Sequence, residues 1–101
     1  MFKGKKVLVL GLAKSGKAAV ELLKFMHADI TINESKKKED IPEYDTYVSE
    51  GIEMVCGGQP DELFERDFDF VVKNPGINYH APFILRLKER GIPVYTEIEL
   101  G

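Results

Sequence analysis

Hydrophobic and polar positions along the chain follow two rhythms in turn. Lys6–Leu10 (KVLVL) is a continuous apolar run, as expected of a strand buried on both faces. From about Ser15 the pattern changes to a helical period, and Ala18, Ala19, Leu22, Leu23 and Met26 are predicted to share one inward face. ADITIN (28–33) is a second, β-branched strand, and KKKED (36–40) after it reads as a solvated charged loop. Pro42 is predicted to open a short helix that turns Tyr44, Tyr47 and Val48 inward and ends at Gly51. IEMVC (52–56) is a third strand, GGQP a loop, and Asp61–Glu65 a helical turn. FDFVVK (68–73) is a fourth strand, ended by NPG. Pro82–Arg90 is a helix closed by Gly91, and IPVYT (92–96) is a fifth strand.

One connection occurs twice, as SEGIEMV and ERGIPVY: helix, glycine, isoleucine, strand. Gly51 and Gly91 suit left-handed helix C-caps. Strand and helix alternate throughout, which predicts one Rossmann-like three-layer α/β domain over residues 1–101. Its sheet should be five-stranded and mainly parallel, with helices on both faces. Ligands of such sheets lie beyond the carboxyl ends of the strands, where the strand order reverses. The loops after the first, second and fourth strands are therefore expected to converge on one crevice.

Composition narrows the partners. The 101 residues are 44% hydrophobic and 31% charged, with a net charge of −3, a soluble globular balance. An acidic chain of this kind lacks the positive field that nucleic acid or a membrane surface demands, and neither is expected as a partner. MFKGKKVLVLGLA superficially resembles a secretion signal, but its apolar run is short and KSGK follows without a cleavage pattern. No segment approaches the roughly 18 apolar residues of a membrane span. The lone Cys56 forms no internal disulfide, and with His27 and His80 it makes a poor metal set. A reduced, cytoplasmic compartment and no metal are the expectation.

The candidate chemistry is in VLVLGLAKSGKAAV (7–20), where a strand meets glycines and then a helix. Gly11, Gly16 and Lys17 satisfy the GxxxxGK of a triphosphate-binding loop, but Ala18 stands where a Ser or Thr hydroxyl would bind magnesium. A second strand ending in an exposed Asp is also missing, and ATP hydrolysis at this loop is not expected. Gly11 and Gly16 also fit the first and third glycines of the dinucleotide fingerprint, but Ala13 replaces the second, which lets backbone approach a pyrophosphate. Glu34, at the end of the second strand, is placed to accept hydrogen bonds from ribose hydroxyls. Backbone N–H groups at the helix start favour an anion in either case, with the Ser15 hydroxyl and the Lys14 or Lys17 charge beside them. In VVKNPGI, Asn74 before Pro75 is steered to extended geometry and Gly76 allows a sharp turn. This loop is either a shelf for a flat base or an ordinary Pro-Gly turn.

GKKVLVLGLAKSG, TINES, VVKNPGI and GIPVYTEIEL together resemble the N-terminal domain of the Mur ligases, above all their D-glutamate-adding members, and the likeness covers essentially the whole chain. The NPGI loop and the terminal TEIEL are its specific parts. The resemblance implies a domain that holds the UDP part of UDP-N-acetylmuramoyl-L-alanine and contains no cofactor or catalytic residue of its own. It places Lys14, Ser15 and Gly16 at the pyrophosphate, Glu34, Ser35 and Lys36 around the uridine end, and Asn74, Pro75, Gly76 and Ile77 along the uracil. Two positions depart from the family pattern, which often has Asp at Glu34 and Arg at Lys36. A lysine is a point charge, not a bidentate fork. The family's ATPase and C-terminal domains, which take ATP, magnesium and D-glutamate, are expected to lie outside this chain, and the chain alone is expected to be inactive. The alternatives are an NAD-binding or nucleotide-sensing Rossmann domain of a dehydrogenase or regulator, and a purely structural domain.

Overall fold

The computed structural model describes residues 3–12, 14–73 and 81–96. Strands β1 (Lys6–Leu10), β2 (Asp29–Glu34), β3 (Glu53–Cys56), β4 (Phe70–Lys73) and β5 (Val94–Thr96) alternate with helices α1 (Lys14–Phe25), α2 (Tyr44–Ser49) and α3 (Pro82–Glu89). Short 3-10 turns lie at Lys38–Asp40 and Asp61–Glu65. The strand order is β3-β2-β1-β4-β5, and every pairing is parallel. The chain runs outward from β1 through β2 to β3, then crosses back to place β4 on the other side of β1. The order therefore reverses between β1 and β4, where Leu10 is registered against Lys73.

The two-residue period of the strands divides the core in two. Val7, Val9, Ile30, Ile32 and Val72 face α1 and α2, meeting Ala19, Val20, Leu23 and Tyr47. Leu8, Leu10 and Val71 face the other way, against Leu63, Phe64, Ile84 and Leu87. All five predicted strands and all three helices are present, as is the turn at Asp61–Glu65.

Two inward faces differ from expectation. On α1 the buried set is Gly16, Ala19, Val20 and Leu23, while Ala18 is exposed and Leu22 and Met26 are half-buried. Positions 16, 19, 20 and 23 form an i, i+3, i+4, i+7 stripe that begins at a glycine. An apolar count omits Gly16 and so rotates the face. On α2 only Tyr47 is fully buried; Val48 is 47% exposed, one residue beyond the narrow stripe a six-residue helix can bury.

The helix closure seen twice in the sequence occurs three times in the fold. Gly51 (φ +85°) and Gly91 (φ +78°) end α2 and α3, and His27 (φ +60°) ends α1 in the same left-handed conformation. At each, the N–H of the left-handed residue and the N–H after it bond back to carbonyls of the last turn. The pairs are His27 to Lys24 and Ala28 to Leu23, Gly51 to Val48 and Ile52 to Tyr47, and Gly91 to Lys88 and Ile92 to Leu87.

Candidate functional site: the carboxyl edge of the sheet

Beyond Leu10 the chain turns at Gly11, whose φ of +89° suits glycine. The Gly11 N–H still donates to the Asn33 carbonyl at 2.8 Å, so the turn stays fastened to β2. Helix α1 starts three residues later, and Gly16 in its first turn lies on the Gly11 carbonyl. A Cβ on Gly16 would stand 3.0 Å from the Gly11 carbonyl carbon and closer still to its oxygen. Gly16 therefore serves the close approach of helix to strand that the third fingerprint glycine provides. The first turn of α1 carries no acidic residue of its own.

Glu34 closes β2, buried to 9% exposure. Its Oε1 accepts the Leu12 N–H at 2.8 Å, and its Oε2 accepts the Lys36 N–H at 2.9 Å and the Ser35 hydroxyl at 3.2 Å. Burial pushes the carboxyl up, but the hydrogen bonds from Lys36, Leu12 and Ser35 and the Lys36 charge outweigh it. Glu34 is held below its ordinary value and is ionised at neutral pH. Ser35 and Lys36 follow on the exposed turn.

The sequence-predicted site residues are only partly gathered here. Glu34 ends β2, Ser35 and Lys36 follow it, and Gly16 is in the first turn of α1; the Glu34 carboxylate joins the turn after β2 to Leu12 in the segment after β1. Lys14 and Ser15 are in the first turn of α1 by backbone, and their side chains lie outside the described residues. Asn74, Pro75, Gly76 and Ile77 also lie outside the described residues; Lys73 before them ends β4 beside Leu10, buried to 3% exposure. Lys17 points elsewhere: its Nζ donates to Glu43 Oε1 at 2.7 Å, an ion pair with the residue before α2.

Sequence reasoning missed two parts of this edge. Asn33 is buried, and its Nδ2 donates to the Val55 carbonyl at 3.1 Å and the Gly58 carbonyl at 2.7 Å. The Gly57 N–H donates to the carbonyls of Glu34 and Lys36, both at 3.0 Å. The loop after β3 thus belongs to the same crown as the loops after β1 and β2. An Asn closing a strand reads as a turn former, and nothing in its position announces a reach of 22 to 25 residues along the chain.

The architecture places the chain among Rossmann-like α/β domains. Scyllo-inositol dehydrogenase from Lactobacillus casei is similar over 95% of this chain and 28% of its own (TM-score 0.65, 20% identity). Shikimate dehydrogenase from Aquifex aeolicus is similar over 98% of this chain and 44% of its own (TM-score 0.57, 14% identity). At such identities the likeness is one of fold alone. The sequence profile described as Mur ligase MurD-like, N-terminal domain, matches residues 5–96, and the chain belongs to that family. UDP-N-acetylmuramoylalanine–D-glutamate ligase of Streptococcus thermophilus is 51% identical over 99 residues, covering 98% of this chain. The ligase of the same description from Streptococcus uberis is 50% identical over 100 residues. The chain spans 22% of the length of each of these relatives.

Proposed function

We propose that this chain is the UDP-binding N-terminal domain of a D-glutamate-adding ligase of peptidoglycan synthesis, acting in the cytoplasm on UDP-N-acetylmuramoyl-L-alanine. The observation that carries this reading is the 51% identity to such a ligase across 98% of the chain. The geometry agrees with it. The start of α1 follows β1, which lies beside β4 at the reversal of strand order, where parallel sheets of this class take nucleotides, and the polar turn after β2 lies one strand away. In this reading backbone N–H groups at Lys14, Ser15 and Gly16 meet the pyrophosphate. Glu34, Ser35 and Lys36 border the uridine end, and Asn74, Pro75, Gly76 and Ile77 border the uracil.

The chemistry of amide formation belongs to the remainder of such an enzyme. There ATP, with magnesium, converts the substrate carboxylate to an acyl phosphate, and the amine of D-glutamate displaces the phosphate. The role of this chain is to bind and orient the nucleotide, and by itself it turns over neither ATP nor substrate. Ala18 supports that division, since it offers no hydroxyl to a magnesium ion.

The fold shared with dehydrogenases keeps a second reading in view, an NAD-binding or nucleotide-sensing module. Ala13, in the place of the second fingerprint glycine, argues against it. Calorimetric titrations of the chain with UDP, NAD and ATP in parallel separate the two. UDP should bind and NAD should not; tighter binding of NAD than of UDP would overturn the proposal.

A further inference from the structure

We infer that Glu34 serves the proposed nucleotide site as a positioning residue, fastening the loop after β1 to the turn after β2. The inference rests on the UDP reading above and deepens it. An acidic residue at the end of the second strand of a nucleotide-binding sheet is ordinarily read as a ribose acceptor. Here the carboxylate already has three protein donors. Both acceptor positions of Oε2 are taken, by the Lys36 N–H and the Ser35 hydroxyl, and Oε1 holds the Leu12 N–H. The residue is only 9% exposed, and three of the four acceptor positions of its carboxylate are used within the protein.

The neighbouring residue shows the same logic on the other face of the sheet. Consecutive strand residues point to opposite faces. Asn33 reaches β3 at the Val55 carbonyl and the loop after it at the Gly58 carbonyl, while Glu34 reaches the segment after β1. The backbone adds the Gly11 N–H on the Asn33 carbonyl and the Gly57 N–H on the Glu34 carbonyl. The end of β2 is thus the hub of the carboxyl edge, bonded to the segments after β1 and after β3. Side-chain length matters to this arrangement: an aspartate, one methylene shorter, would have to move its backbone to hold Leu12 and Lys36 together.

Two measurements test the inference. In the first, wild type and Glu34→Gln are titrated with UDP and with inorganic pyrophosphate. The glutamine amide keeps an acceptor for one loop but turns an NH2 toward the donors of the other. Glu34→Gln should weaken both ligands by the same factor, about fivefold to tenfold, the size of one hydrogen bond. Pyrophosphate binding that Glu34→Gln leaves unchanged, beside weakened UDP, would mean that Glu34 acts by direct contact with the nucleoside and overturn the inference. The second measurement needs neither a variant nor a ligand. In an NMR acid titration of the wild-type chain, the Leu12 and Lys36 amide signals should move together with one midpoint, shared with the Glu34 carboxyl. Separate midpoints, or a Leu12 amide indifferent to that titration, would show that Glu34 does not join the loops. A chain that shows the shared midpoint but binds no UDP would refute the UDP reading while leaving the loop fastening intact.

Discussion

Replacing Gly16 with alanine sets two known effects against each other. Gly16 lies in the first turn of a twelve-residue helix. In a helix interior alanine is favoured over glycine by about 1 kcal/mol. Against that, the new Cβ would stand 3.0 Å from the Gly11 carbonyl carbon and nearer to its oxygen, and these are backbone atoms of the turn leaving β1. Backbone cannot swing aside as a flexible side chain can, and Gly11 is further tied by its N–H to Asn33. Overpacking of this kind costs about 1–3 kcal/mol, and the backbone contact places it at the upper end. The net expectation is a loss of about 2 kcal/mol, or about 8–16 °C in melting temperature for a domain of this size. Gly16→Val adds β-branching to the same clash and should be worse. Urea and thermal unfolding followed by circular dichroism measure the loss directly. An alanine variant as stable as wild type, or more stable, would refute the close-approach argument, because helix propensity would then be the larger effect.

The other expectations are smaller. His27→Gly should stabilise the chain by about 0.5–1 kcal/mol, since a left-handed non-glycine residue is strained by about 1–2 kcal/mol and glycine returns part of that as unfolded-state entropy; Gly91→Ala should destabilise it, and paired urea melts check both. Asn33→Asp is close to isosteric but turns an acceptor onto the Val55 and Gly58 carbonyls, and should cost about 1–3 kcal/mol in the same assay. Glu34, Glu43 and Glu53 are all held below their ordinary carboxyl value of 4.5 in the folded state, so their contribution is fully present above that pH and is lost as pH falls through the folded values. Stability should therefore be level between about pH 7 and 5.5 and fall below about 4.5, and an acid melt series would show a contrary slope at once.

The order of elements was legible in the sequence because strand and helix periods alternate and glycines punctuate them. Gly51 and Gly91 disclosed two of the three left-handed closures, whereas His27 hid the third, because histidine, though enriched there among non-glycine residues, is a far weaker signal for that conformation than glycine. The inward face of α1 was misread for a related reason. Its rotation is set by Gly16 meeting Gly11, a contact made possible by the lack of a side chain and so invisible to an apolar count. At the carboxyl edge the glycine turn and Glu34 were legible as residue types in the right places. Which atoms Glu34 meets was not, because Leu12 comes beside it only when β1 and β2 pair in register. Asn33 and the loop after β3 were missed on the same ground: their hydrogen bonds join segments that only the folded sheet brings together.

The central claim, that the carboxyl edge of this sheet holds a uridine diphosphate, is tested most directly by an NMR titration of the labelled chain with UDP. UDP has about 25 non-hydrogen atoms, and at roughly 0.3 kcal/mol per atom its ceiling is about 7.5 kcal/mol, a micromolar dissociation constant. An exposed helix terminus contributes only about 0.3–1 kcal/mol and is screened by salt, so the expected constant is weaker, on the order of 0.1–1 mM, rising with ionic strength. UDP should bind more tightly than UMP because of its second phosphate. Shifts should cluster at Lys14–Lys17 at the start of α1, at Glu34–Lys36 at the end of β2, and at Asn74–Ile77, which follow β4 in the sequence. Shifts confined to the opposite edge of the sheet, or none at millimolar UDP, would contradict the account even with the fold intact.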